Sequence, residues 1–166
     1  MSLSSRSSDC YGATDEGEII HSTDGINWDI FNFNNVYSGF YRPCSFSSIL
    51  VTENRIAVAG KQDDGFPVVA FSSQGNVWTE RVLNYIDEGG FREFLTESPN
   101  FILYDETGDQ FFIACTNGLI MVLPSCSQCN KVAKVSDRSI KSMVIASGRI
   151  MLAGEGYFLK TIGTGW

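Results

Sequence analysis

Nowhere among the 166 residues is there a run of 18 apolar side chains, so no helical membrane span is encoded. Basic side chains are few: 12 Lys and Arg against 19 Asp and Glu leave a net charge of −7, and the cations are scattered singly. A phosphate backbone would be repelled, which argues against a nucleic-acid partner. Histidine occurs once, at His21, without a second His or a suitably spaced acid. It reads as a strand-face residue near a turn, and neither a catalytic triad nor a His-rich metal centre is supported. No metal and no cofactor are expected. Met1–Asp9 lacks the apolar stretch of a signal peptide, and residues 1–9 read as a disordered or vector-derived lead-in. Secretion or a surface location stays open if the chain is a piece of a longer precursor. The five cysteines, Cys10, Cys44, Cys115, Cys126 and Cys129, are odd in number and too sparse for a disulfide-stapled miniprotein. Helical periodicity is also missing, apart from a weak hint at Phe91 to Leu95.

What is present is a globular composition, 43% hydrophobic and 19% charged with mean hydropathy −0.02, long enough to bury a core of its own. Residues 1–166 read as one segment built from a repeat. Ser22-Thr23-Asp24-Gly25-Ile26-Asn27-Trp28 and Ser72-Ser73-Gln74-Gly75-Asn76-Val77-Trp78 each follow a short apolar run, and their glycines lie 50 residues apart. The chain closes on Gly163-Thr164-Gly165-Trp166, a further Gly-x-x-Trp, 88 residues after Gly75. A degenerate copy fits between them: Gly118-Leu119-Ile120-Met121-Val122 matches Gly17-Glu18-Ile19-Ile20-His21, which puts Cys126 where Gly25 stands and Cys129 where Trp28 stands. Periods of about 40 to 50 residues are those of propeller blades.

Between the turns lie pairs of short strand-like runs, such as Ile49-Leu50-Val51 with Ile56-Ala57-Val58, or Met143-Val144-Ile145 with Ile150-Met151-Leu152. The unit is thus four strands with the Gly-x-x-Trp turn between the third and fourth. In that turn Asp24 can accept backbone N–H bonds, Gly25 can take positive φ and Trp28 or Trp78 can bury a large ring. Cys126 and Cys129 stand at a spacing that a short disulfide can bridge, with a redox pair or half of a zinc site as the other readings.

These residues resemble the Asp-box, or BNR, repeat of sialidase-like β-propellers, and the short Ser-x-Asp-Gly-x-x-Trp spacing is similar to that of bacterial and phage members. The resemblance implies an all-β fold of four-stranded antiparallel blades, about 3.5 to 4 of them, with box turns (Ser22, Asp24, Gly25, Trp28; Ser72, Gly75, Trp78; Gly163, Trp166) that hold structure and face away from any active site. It would also imply a sialidase's arginine cluster, nucleophilic Tyr and acid Asp. The seven arginines do not supply that cluster: Arg55 and Arg149 open matching strands, and Tyr41-Arg42-Pro43 lacks the Ile of the family's aromatic-Arg-Ile-Pro signature and follows the first box.

Strand counting has the chain entering at the second strand of a first blade and stopping at the start of a last fourth strand. The open edges of that second strand and of the last blade's third strand would then promote homo-oligomers. A fragment of a larger propeller, two mutually completing copies and a four-bladed ring all remain open. Binding is expected on the loops opposite the boxes, at Tyr37, Phe40, Tyr41, Arg42, Asp63, Asp64, Phe66, Tyr85, Phe91 and Arg92, with a protein or carbohydrate as partner. The function expected is a non-catalytic interaction module. Part of a glycoside hydrolase, with Asp63, Asp64, Asp87 and Glu88 as its acids, and a structural assembly factor are the alternatives.

Overall fold

Short β-branched and aliphatic runs, each bounded by polar turn formers, pair in sequence order with their immediate neighbours. The computed structural model describes residues 1–87, 89–124 and 131–164, and the chain divides into two units, Met1–Val82 and Leu83–Trp166.

In the first unit, β1 (Ser2–Arg6), β2 (Asp9–Ala13), β3 (Glu18–Ser22) and β4 (Asp29–Asn32) form one antiparallel four-stranded meander. A single helical turn, α1 (Phe33–Val36), capped by the Asn32 side chain, leads to a second meander of β5 (Cys44–Val51), β6 (Ile56–Gln62), β7 (Pro67–Ser72) and β8 (Thr79–Val82). One core joins the two sheets: Tyr11, Ala13, Ile19 and Phe33 from the first side meet Phe46, Ile49, Ile56, Val58, Val68, Ala70 and Trp78 from the second.

The strand β1 corrects the expectation of a disordered lead-in at residues 1–9 and of a first sheet lacking its first strand. A serine-rich stretch resembles disorder in composition, but its short hydroxyls serve here as strand-to-strand acceptors. Ser2 and Ser4 Oγ accept the backbone N–H groups of Ile49 and Val51 at 3.2 and 3.0 Å, and Arg6 donates to the Thr52 carbonyl at 3.2 Å.

The second unit opens with a hairpin of β9 (Asn84–Ile86) and β10 (Arg92–Phe94), so the weak helical hint at Phe91 to Leu95 gives way to a strand. A four-stranded meander follows: β11 (Pro99–Asp105), β12 (Gln110–Cys115), β13 (Leu119–Pro124) and β14 (Lys131–Lys134). Among the described residues the last sheet has three strands, β15 (Ile140–Ala146), β16 (Arg149–Gly154) and β17 (Phe158–Gly163). Phe112, Ala114, Ile120 and Val122 of the third sheet pack against Ile140, Met143, Ile150 and Leu152 of the fourth.

Strand register superimposes the four sheets. Ser22, Ser72, Leu123 and Ile162 stand opposite Cys10, Ile56, Phe111 and Ile150. In sheets two to four the first strand carries a bulge at the same place, between Phe46 and Ser48, Pro99 and Phe101, and Ile140 and Ser142. Opposite those bulges stand Gly60, Cys115 and Gly154. At Gly60 the bulged backbone approaches so closely that a Cβ would lie 1.9 Å from the Ser45 carbonyl oxygen, a contact only glycine permits.

This register also corrects the last box. Gly163 pairs with Arg149 inside β17 and does not adopt positive φ. Counting on from Ile162 by the Ser22–Gly25 interval reaches position 165, which lies outside the described residues together with Trp166. The Cys126–Cys129 pair lies outside them as well.

Candidate functional site

An antiparallel meander sends its first and third turns to one end of the sheet, and its second turn and the sheet-to-sheet connection to the other. The box turns therefore occupy one end, and in the first unit loops 14–17, 33–43 and 63–66 occupy the opposite one. The expected binding residues of this unit all lie on those loops, and they separate into two groups.

Tyr37 and Tyr41 fold back onto the core. Their rings lie 4.9 and 5.9 Å from the ring of fully buried Phe33, and the Tyr37 hydroxyl accepts the Trp78 backbone N–H at 2.7 Å. Both are half-buried: α1 turns Phe33 inward, and the two tyrosines cover it. Phe40 and Phe66, by contrast, are 83% and 36% exposed. Arg42 ties their loops together, its Nε 2.9 Å from Asp64 and its Nη1 4.0 Å from Asp63, while Asp63 N–H donates to the Pro43 carbonyl at 2.8 Å. Exposed ion pairs stabilise little; here they link the loop that carries Phe40 to the loop that carries Phe66.

Beneath the loops, the Cys44 thiol donates to Glu80 Oε2 at 3.1 Å and Gln62 Nε2 donates to Glu80 Oε1 at 2.6 Å. Burial is the main cause that raises the Glu80 pKa, with the Asp64 charge adding to it against the two hydrogen bonds. Burial and the same contact with Glu80 push the Cys44 thiol far up, so it remains a donor. The sequence reading passed over Glu80 and Gln62. They sit on different strands, and the register brings them onto one face of the second sheet with Cys44.

In the second unit, Tyr85, Phe91 and Arg92 lie on the β9–β10 hairpin. Tyr85 is half-buried, whereas Phe91 is 70% exposed and Arg92 is exposed. The turn is held by Asp87, whose Oδ1 accepts the Phe91 N–H at 2.7 Å. Ile86 and Phe94 leave further apolar surface open on the same hairpin. Glu88 lies outside the described residues.

At the box end the carboxylate of Asp24 is used by its own turn. Oδ1 accepts from the Ile26 and Asn27 backbone N–H groups at 2.8 Å each and from the Ser22 hydroxyl at 3.0 Å, and Oδ2 accepts from Asn27 Nδ2 at 2.7 Å. These donors hold its pKa far below the usual carboxylate range. Gly25 and Gly75 take φ of 73° and 83°, and Ser72 Oγ accepts the Gly75 N–H at 2.8 Å.

Trp78 is 2% exposed, with Nε1 donating to the Gly75 carbonyl at 2.9 Å, but Trp28 is 39% exposed, against the expectation of two buried rings. Trp78 packs on Phe31 of the sheet before its own and on Phe33 of α1, and within this unit Trp28 belongs to the first sheet. Beside the second box a cleft of ≈ 290 Å³ is lined by Tyr11, His21, Asp29, Phe31 and Gln74. His21 stacks on Tyr11 at 4.4 Å with Nε2 3.8 Å from Asp9.

No family model matches the chain, and no curated protein matches it in sequence. Solved structures do. The β-propeller domain of Cps50 (Swd1) from Myceliophteria thermophila aligns with a TM-score of 0.66 at 14% identity over 98% of this chain and 50% of that one. The extracellular domain of BT4673 from B. thetaiotaomicron aligns with 0.67 at 16% identity over 96% of this chain and 20% of that one. The computationally designed Ika4 protein aligns with 0.65 at 11% identity over 99% of this chain and 90% of that one.

The fold is a β-propeller. About four blades are present, and the chain spans half the length of the Swd1 domain and a fifth of BT4673. At these identities the likeness concerns the fold alone. No helix among the described residues is long and apolar enough to cross a membrane.

Proposed function

We propose that this chain is a non-catalytic interaction module on an Asp-box scaffold, which takes a protein segment or a glycan on the loops opposite the boxes. The observation that carries the reading is the Arg42–Asp64 contact at 2.9 Å, which joins the loops bearing exposed Phe40 and Phe66. Exposed aromatic tips flanked by one cation and two acids suit contacts in which a ring covers an apolar surface and the rim makes hydrogen bonds. The Asp-box assignment is supported by the Ser22–Asp24–Gly25 hydrogen-bond pattern and by the repeat of Ser72, Gly75 and Trp78. The proteins it contacts include a second copy of itself.

A hydrolase would need two carboxyls at a defined separation across its substrate. Of the four acids considered, Asp63 and Asp64 both contact Arg42, and Glu88 lies outside the described residues.

The test is a screen of the whole chain against an oligosaccharide array and a displayed peptide library, followed by titration of the best binder with Phe40→Ala and Arg42→Ala. A loss of tenfold or more in affinity for both variants is expected. Unchanged affinity would move the site elsewhere. Turnover of an aryl glycoside that disappears in Asp64→Asn would replace the reading with the hydrolytic one.

A further inference from the structure

In both units the sheets pack by one rule. The face of a sheet that carries the Ile49–Val58–Ala70 row, or its register equivalent, is covered by the opposite face of the sheet before it. In the second sheet the row Ile49, Val58, Ala70 is 4%, 0% and 0% exposed beneath Tyr11, Ala13 and Ile19 of the first sheet. In the fourth, Met143 and Leu152 are 4% and 0% exposed beneath Phe112, Ala114 and Ile120 of the third.

Among the described residues, one face of the first sheet and one face of the fourth depart from this rule. On the first sheet the equivalent row is Leu3, Gly12, Ile20, Ile30, aligned by register. Leu3 and Ile30 are 60% and 65% exposed, with Trp28 open beside them. Leu3 and Ile20 side chains close over Gly12, where a Cβ would meet them at 2.9 and 2.8 Å, so the stripe is continuous and apolar. On the fourth sheet the opposite face carries Val144, Met151 and Leu159, which are 49%, 40% and 75% exposed. Leu159 faces Ala153 in the same register as Ile19 faces Ala13 and Ile120 faces Ala114. Those two isoleucines are 2% and 0% exposed.

From this we infer that a second copy of the chain covers these faces head to tail, the Val144–Met151–Leu159 face of one copy seating on the Leu3–Ile20–Trp28–Ile30 face of the next. The occupant follows from the repeat itself: each exposed face is the repeat equivalent of one half of an interface that the chain already forms twice, and the missing counterpart of each is present on the same molecule. The contact is between unlike surfaces, so it closes into a small assembly or propagates. It uses sheet faces, not the open strand edges that strand counting in the sequence suggests. It rests on the propeller repeat and not on the ligand proposed for the loops, so either can fail alone.

The test is sedimentation velocity of the full chain from about 1 to 100 μM, with Trp28→Asp, Leu159→Asp and the double variant. Wild type is expected to associate, and each single variant to be monomeric with an unchanged far-ultraviolet circular dichroism spectrum. An equimolar mixture of the two single variants should form a one-to-one complex, because each retains one intact face, and the double variant should remain monomeric in any mixture. A monomeric wild type at 100 μM overturns the inference, whether acrylamide quenches Trp28 freely, leaving the face to a foreign partner, or finds it shielded. Failure of the two single variants to associate with one another, while wild type does associate, overturns the head-to-tail geometry.

Discussion

Removing the Trp78 ring is the sharpest perturbation of the repeat. The side chain is 2% exposed, lies 6.5 Å from the rings of both Phe31 and Phe33 and donates Nε1–H to the Gly75 carbonyl at 2.9 Å. A buried tryptophan removes on the order of 200 Å² from water, which at roughly 25 cal/mol per Å² is worth about 5 kcal/mol. Alanine retains a small share, and partial collapse of the cavity recovers some more, so Trp78→Ala should cost about 3 to 5 kcal/mol. In a chain of this size that lowers the melting temperature by roughly 6 to 20 °C. The hydrogen bond adds little, because the Gly75 carbonyl sits in a turn near solvent. Val77 is the control: it precedes Trp78 on the same turn and is 70% exposed, so Val77→Ala should stay within about 0.5 kcal/mol of wild type. Urea unfolding followed by circular dichroism at 222 nm measures both. Equal costs for the two variants, or less than about 1 kcal/mol for Trp78→Ala, would refute the packing argument.

Three further outcomes follow from the same contacts. The folded-state pKa of Glu80 lies above its ordinary 4.5, so its contribution to stability is complete below that value and is lost as pH rises through the folded-state pKa. Glu80→Gln should gain on wild type between pH 4 and 7 in denaturant titrations, and an unchanged pH slope counts against the buried carboxyl. Asp24 has the opposite sign: its folded-state pKa lies below the ordinary 3.8, so its turn bonds contribute above that value and are lost as pH falls through the folded-state pKa. Asp24→Ala should therefore be less stable than wild type at pH 6, with a gap that narrows at pH 2, and a constant gap would show that the carboxylate is not the cause. Gly163→Ala should be neutral within about 0.5 kcal/mol, since its Cβ would meet nothing within 4 Å. Gly60→Ala, by contrast, should cost upwards of about 2 kcal/mol; equal melting temperatures for these two variants would contradict the register.

Much of the fold is legible in the chain because blade formation is local. Each strand pairs with its sequence neighbour, so runs such as Arg55–Gly60 and Val68–Phe71 and the turn at Ser22–Trp28 carry their own pairing instructions in side-chain type and spacing. Asp24 is legible for the same reason, since every donor to its carboxylate lies within three residues.

What the pattern could not carry is anything that depends on which sheet lies next to which. Trp28 and Trp78 occupy the same motif, yet one ring is open and the other buried, because burial requires a neighbouring sheet that the motif does not encode. Ser2 and Ser4 look like a disordered leader until β5 presents N–H groups to their hydroxyls. Tyr37, Tyr41 and Phe40 are equivalent aromatic loop residues by composition, and only the inward turn of Phe33 separates the two that close the core from the one that faces solvent. Glu80, Gln62 and Cys44 meet because register places them on one face of the second sheet. Local hydrogen bonding and strand propensity thus determined the blades, whereas burial, and with it the division of aromatic residues between core and contact surface, was decided by packing across sheets.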